Sequence, residues 1–272
     1  MKKIFGVVAC IMVLLLCAAC SNEEEKYFRV GMECNYAPYN WTQSTQNEFT
    51  VPIEGGGYAD GYDVQMAKLL SDKLGLELVI VKTEWDGLTL SVNSGKIDAI
   101  IAGMNATPER RTSIDFTNPY YQFSYVVVTR KDGDFCNAKS INDFKSARIT
   151  GQLNTTLYDL IDQMVGAEKM TAVESVSTMI VSLQSGKIDG FIIDKPGAMA
   201  ATLANDDLMY IDFEEGKGFN VDQDEISASI GIKKNSEFDS KINEILDSIS
   251  TEQRNEMMKA AISRQPLVSE GN

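Results

Sequence analysis

WDGLTLSVNSGKIDAIIAGMNATPERR, residues 85–111, reads in one pass as helix, buried strand, small-residue loop and the start of a second helix. Asp86 is placed to cap the first helix, over 87–94, and Gly95 to stop it. IDAIIAG (97–103) is short and continuously apolar, as in a parallel strand covered on both faces. Pro108 suits a first helical turn, and Arg110 and Arg111 follow it. Ninety-one residues on, the device recurs. LSVNSGKIDAII (90–101) matches VSLQSGKIDGFI (181–192), with SGKID identical in both. The repeat predicts two α/β lobes of similar build.

The flanking chain agrees. YFRVGME (27–33) alternates as a first strand and leads into an aromatic loop, CNYAPYNW. Residues 42–58, rich in Thr, Asn, Gln and Gly, predict a surface loop or hairpin. Val64, Ala67, Leu70 and Leu74 are spaced for a helix that Gly75 ends. LELVIVKTEW (76–85) is β-rich. Further on, SYVVVTRK, ARIT, KIDGFIID, 209–213 and ISASIGIKK read as strands, 175–185 as a helix, and 236–263 as an amphipathic helical tail. Strands alternating with helices make an α/β layer fold.

Composition narrows the chemistry. With 39 acidic against 25 basic residues the net charge is −14, which argues against a nucleic-acid partner. There is no histidine, so Ser-His-Asp and Cys-His catalysis and the usual zinc sites fall away. No metal and no cofactor is expected. Lys2 and Lys3 precede an apolar run, Ile4 to Leu16, as in a secretory signal peptide over 1–19. LCAAC resembles the bacterial lipoprotein box, with Cys17 where that pattern prefers Leu. It predicts cleavage before Cys20, a lipid on its sulfur and a tether over 20–26. Of the cysteines left, Cys34 and Cys136 fall in different lobes. They are expected as free thiols, a disulfide being the alternative.

Several motifs then occur in order: GYDV (61–64), EWDGL (84–88), SGKIDAII (94–101), TPERR (107–111), DFTNPYY (115–121) and IIDKP (192–196). This ordered set resembles the extracellular solute-binding proteins of polar amino-acid ABC transporters, across essentially all of the mature chain. The resemblance implies the type II periplasmic-binding-protein fold: two α/β lobes joined by two crossing hinge strands, with ligand in the interlobe cleft. Lobe 1 would take 27–123 and 222–272 (return strand and C-terminal helices), and lobe 2 would take 124–221. The hinge strands would pass near 123–128 and 219–226.

The resemblance also implies roles. Arg110 would clamp the ligand's α-carboxylate, since guanidinium presents a fork matched to that group; by spacing alone a solvated arginine fits as well, and Arg111 is the neighbour expected to be exposed. Gly103 and Asn105 would form the polar rim. Asp194 would pair with the α-ammonium, a helix cap being the plain alternative. Thr155 and Thr156 would donate to the carboxylate from lobe 2, from a loop in which Asn154 replaces the family's usual glycine; an asparagine tolerates the left-handed backbone that position needs. Tyr36 and Trp85 would sandwich the ligand side chain, although core packing is the common fate of such rings. Glu33 would face a distal cation, with Asp63 helping or serving structure alone. Together these imply binding of a free amino acid by a monomer, and delivery to a permease by hinge closure. The lipid anchor implies the outer face of a Gram-positive membrane. The ligand is expected to be cationic (arginine, lysine, ornithine or histidine), with glutamine or cystine as the neutral alternative. A dehydratase-like enzyme, for which Cys34 is the residue to watch, or a sensor domain are the other classes this fold allows.

Overall fold

The computed structural model describes residues 26–266. The expected signal peptide, the lipid site at Cys20 and the tether up to residue 25 lie outside them. Among the described residues no helix is long and apolar enough to cross a membrane.

The first half begins with β1 (Tyr27–Met32), whose Phe28, Val30 and Met32 are fully buried. Four short strands follow: β2 (Asn35–Tyr36), β3 (Asn40–Gln43), β4 (Val51–Pro52) and β5 (Tyr58–Asp60). They pair in the order β2-β3-β5-β4. Of the loop or hairpin expected over 42–58, the structure has antiparallel strands, because Trp41 and Val51 bury apolar surface that a free loop would expose. Helix α1 (Tyr62–Leu74) starts at Gly61, where a Cβ would lie 2.2 Å from the Tyr39 carbonyl oxygen; only glycine lets the two segments approach so closely. Gly75, with φ 72°, closes the helix in the left-handed conformation.

Next come β6 (Glu77–Lys82), a 3₁₀ turn at Trp85–Gly87, α2 (Leu88–Ser94), β7 (Ala99–Ile100), α3 (Pro108–Ser113) and β8 (Asp115–Gln122). Asp86 does not cap α2: Gly87 holds the cap position with no side-chain bond, and Asp86 instead accepts from Asn154 Nδ2 at 2.8 Å. The expected strand over 97–103 pairs only at Ala99–Ile100, since the chain turns away into the loop before α3.

The second half holds β9 (Tyr125–Arg130), β10 (Arg148–Thr150), α4 (Thr156–Asp159), β11 (Glu168–Lys169), α5 (Val176–Gln184), β12 (Gly190–Asp194), α6 (Lys195–Ala204) and β13 (Leu208–Ile211). The chain then returns through β14 (Ser227–Ile232) and ends in α7 (Phe238–Asp247) and α8 (Thr251–Arg264). The helical tail breaks between these two because Ser250 and Gln253 form a reciprocal capping box.

The two main sheets share one topology. Their orders are β6-β1-β7-β14-β8 and β11-β10-β12-β9-β13. In each, the first three strands pair in parallel and the last two pairings are antiparallel. The SGKID repeat explains the likeness in detail. Gly95 and Gly186 stop their helices at φ 76° and 72°. Asp98 then accepts the Arg29 amide at 2.7 Å, and Asp189 accepts the Arg148 amide at 2.9 Å. In return, the amides of Asp98 and Asp189 each donate to the same arginine's carbonyl at 2.8 Å. Each repeat thereby pins the third strand beside the first. β9 alternates across its sheet: Val126 and Val128 join the larger core, and Val127 joins the smaller one.

The chain passes from one sheet to the other at 123–124 and returns through 212–226. The two passages are bonded together, Phe123 N donating to Ile226 O at 2.9 Å. Tyr125 adds its hydroxyl to the Glu225 carbonyl at 2.5 Å.

Candidate functional site

Parallel strands end in loops that a ligand can reach, and in open α/β sheets those carboxyl ends hold the sites. Here β1 leads into Glu33, β6 towards Trp85 and β7 towards Gly103 and Asn105. From the other half, β10 leads to Gln152 and the threonines, and β12 ends in Asp194.

Arg110 lies on α3, whose start is capped by Thr107. Its Nη1 donates to the Asn105 carbonyl at 3.0 Å and to Asn105 Oδ1, and its Nη2 donates to the Asn154 carbonyl at 3.3 Å. The guanidinium sits over the Trp85 ring, 5.0 Å from its centroid. These acceptors are all neutral, and burial lowers the arginine's pKa from its ordinary value. A half-buried guanidinium held by neutral groups is ready to take an anion. Arg111 lies further out, bonded to the Ala106 carbonyl and facing Asp224 at 3.6 Å.

Side chains from the two halves meet around Arg110. Asn105 Nδ2 donates to Thr156 Oγ1 at 2.9 Å, and the Trp85 indole donates to the Asn154 carbonyl at 3.1 Å. Asn154 has φ 57°, the left-handed angle its loop requires. Thr155 turns inward and donates to the Gln152 carbonyl at 2.7 Å.

Asp194 is 4% exposed and carries out two tasks. Its Oδ1 caps α6 by accepting from Gly197 N at 2.9 Å, and its Oδ2 accepts the hydroxyl of Tyr36 from the other half. Burial pushes its pKa up to about 7. Glu33, 3% exposed, is also pushed up to about 7 by burial, with Gln152 Nε2 donating to it at 3.2 Å across the cleft. Among the described residues neither carboxylate forms an ion pair, so burial makes its charge costly until a cation arrives.

Asp63 stands apart from these groups. It is fully buried and bonded to Tyr120 OH at 2.7 Å and Asn40 Nδ2 at 2.8 Å. The Tyr120 hydroxyl in turn accepts Gly103 N at 2.9 Å, and Asn40 Oδ1 accepts Cys34 N at 2.7 Å. This buried chain ties the loop after β1 to the loop after β7. Gly103 has φ 62° and faces the Tyr36 ring, which a Cβ would approach to 3.3 Å. Asp63 thus acts on the cleft through Tyr120. Tyr120→Phe is expected to cost about 1–3 kcal/mol of stability by orphaning the Gly103 amide, and to weaken ligand binding; paired melting and titration calorimetry check this, and an unchanged melting temperature refutes it.

Gln152, Asn40 and Tyr120 are not marked by any local pattern. Gln152 lies inside the GQLNT loop beside the two threonines, and that adjacency is its one signal. Cys34 and Cys136 are free. Cys34 is buried, and burial pushes its thiol up to about 12.

Two like halves, bonded at paired crossings and sharing a charged cleft, are the build of a protein that holds a small solute between lobes. The chain belongs to the bacterial extracellular solute-binding proteins, family 3, which its residues 28–261 match. A probable histidine-binding protein of Campylobacter jejuni is 30% identical over 194 residues, covering 71% of this chain and 70% of that one. The arginine-binding extracellular protein ArtP of Bacillus subtilis is 26% identical over 272 residues, covering 95% and 97%. Among solved structures, a Gly52Ala mutant of arginine-bound ArgBP from T. maritima superposes with a TM-score of 0.68 at 27% identity, covering 83% of this chain and 96% of that one.

Proposed function

We propose that the protein captures a cationic amino acid, arginine foremost, and delivers it to an ABC transporter without chemical turnover. One observation carries this reading: the cleft offers one half-buried guanidinium, Arg110, and two buried carboxylates, Asp194 and Glu33. A cationic amino acid presents the complement, one carboxylate and two cations. The α-carboxylate falls to Arg110, with Thr155 and Thr156 beside it and the Gly103–Asn105 loop as rim. The α-ammonium falls to Asp194, and the side-chain cation to Glu33 with Gln152. Tyr36 and Trp85 supply the aromatic walls, and a cation over such a face gains roughly 0.5–2 kcal/mol. The names of the histidine- and arginine-binding relatives support the same ligand class. Binding favours the state in which both halves touch the ligand, so closure follows from differential affinity.

Burial of Cys34 supports binding over catalysis. A thiol pushed up to about 12 stays protonated and unreactive at neutral pH. We further propose that the mature chain starts at Cys20, held as a monomer by lipid on the outer face of a Gram-positive membrane; the lipoprotein-box pattern supports this.

Glu33→Gln tests the ligand class by titration calorimetry with arginine, lysine, glutamine and cystine. Arginine affinity is expected to fall about 30-fold, the loss of one buried charge pair. If glutamine or cystine binds the wild type more tightly than arginine, the neutral alternative replaces the cationic one. Acid should mimic the substitution. A bound cation holds Glu33 ionised, while in the free protein it takes up a proton below about 7. Binding then expels that proton, so arginine affinity should weaken as pH falls from 8 to 6, and less steeply in Glu33→Gln.

A further inference from the structure

Gln265 stands directly after α8, and it is buried. The helix finishes at Arg264, Pro266 bars its continuation, and Gln265 leaves it extended at φ −57° and ψ 149°. A glutamine side chain is ordinarily exposed. This one is 5% exposed. Its Nε2 donates at 2.8 Å to the carbonyl of Ala200, on α6 of the other half. Ala200 lies inside α6 rather than at its end, so the bond is no helix cap.

Arg264 fixes the place from which Gln265 reaches. Its Nη2 donates to Asp60 Oδ1 at 3.0 Å, and its guanidinium lies over Phe49, 4.1 Å from the ring centroid. Asp60 is fully buried, and the same Oδ1 accepts Gly61 N at 2.6 Å. Gly61 packs on the backbone of Tyr39, whose ring lies 5.1 Å from that of Tyr36. Tyr36 in turn donates to Asp194, the residue that starts α6. The first half therefore holds α6 at two points, Asp194 inside the cleft and Ala200 outside it. At 1.5 Å per residue these points lie about 9 Å apart along the helix. A rod pinned at one point can swing about it, whereas a rod pinned at two keeps its direction.

The two pins sit on parts that move separately. α6 packs against β9, β12 and β13 and travels with their sheet, while α8 packs against α1 and travels with the other. Rotation about the paired crossings at Phe123 and Ile226 displaces one against the other. Hydrogen bonds of this kind fail beyond about 3.5 Å, so a shift of about 1 Å at Ala200 breaks the outer pin.

We infer that Gln265 is a positioning residue for the ligand site: through Ala200 it holds α6 against the first half, so that Asp194 at the head of the helix stays aimed at the ligand's ammonium. Gln265 itself touches no ligand. Its bond belongs to the arrangement in which the halves meet, so it adds to the stability of the closed state and slows ligand release. It does nothing for capture by the open state. The inference rests on the amino-acid-binding reading given above.

The test uses full-length protein carrying Gln265→Met, which keeps the length and bulk of the side chain and removes its donor. The probe is whichever of the twenty standard amino acids and cystine raises the wild type's melting temperature most. Stopped-flow tryptophan fluorescence gives the association and dissociation rates, and the melting temperature of ligand-free protein reports folding separately. Dissociation is expected to quicken about fivefold, the worth of one neutral hydrogen bond. The association rate and the ligand-free melting temperature are expected to stay as in wild type. Wild-type dissociation in Gln265→Met overturns the inference while leaving the binding reading intact. A lower melting temperature with unchanged dissociation also overturns it, and makes Gln265 a prop for α8 alone. A wild type whose melting none of these amino acids shifts sinks the binding reading and this inference with it.

Discussion

Arg110→Ala is expected to weaken arginine binding by about a thousandfold, measured by titration calorimetry on protein freed of ligand by partial unfolding and refolding. Truncating one partner of a buried, hydrogen-bonded charge pair costs about 2–5 kcal/mol, and each 1.4 kcal/mol is about tenfold in Kd. Arg110 belongs at the upper end of that range. Its guanidinium is half-buried, rests on Trp85 and bonds Asn105 on its own side and Asn154 on the other. Alanine removes the only cation proposed for the α-carboxylate and frees three acceptors. Arg110→Lys separates charge from shape: lysine keeps the charge but loses the planar fork, so a loss of about tenfold or more should persist. Full affinity in the lysine variant refutes bidentate clamping. Full affinity in the alanine variant removes Arg110 from the site altogether.

The second large effect belongs to Asp194→Asn, where binding and folding should part company. Asparagine is as good a helix cap as aspartate, so α6 keeps its start at Gly197. The charge is gone, however, and the ligand's ammonium loses its partner. Affinity should fall about a hundredfold, corresponding to about 3 kcal/mol. The ligand-free variant should melt higher than wild type at pH 8. The sign follows from the buried carboxyl: its pKa is raised to about 7, so the folded form favours the protonated state and its contribution to stability is lost as pH rises through 7. Asparagine carries no such cost. Below about pH 4, where aspartate is protonated in both folded and unfolded chains, the difference should vanish. A drop in affinity of less than about fivefold would leave Asp194 as a helix cap only.

Asp194 also shows how function and structure overlap in one side chain. Its sequence context, a buried strand followed by Lys-Pro, suits both a helix cap and a ligand group, and the structure gives one oxygen to each neighbourhood. The left-handed backbone at Asn154 was legible only through the resemblance, which puts a glycine there; few other residues take φ near +57°. Asp86 departs from its expected cap: a cap is a local bond, but its carboxylate bonds Asn154 across the cleft, 68 residues away. Gln152 is not legible in the sequence because an uncharged amide in a loop has no signature until its partner, Glu33, is known. Tyr120 was hidden for the same reason, being one more aromatic in an NPYY run until Asp63 and Gly103 close around its hydroxyl.

Short runs of residues specify the duplicated α/β build, the glycines that end α1, α2 and α5, and the strands that enter through Ile-Asp. These are written in neighbouring residues, because helical spacing, strand burial and positive φ are demands on a few adjacent positions. Which loops face each other is set by long-range packing. Tyr36 meets Asp194 over 158 residues and Glu33 meets Gln152 over 119. Such pairings depend on how two passages of chain, bonded at Phe123 and Ile226, set one lobe against the other. The stretch 85–111 therefore carries one wall of the site in its own order of residues, while the opposite wall is brought to it by the fold.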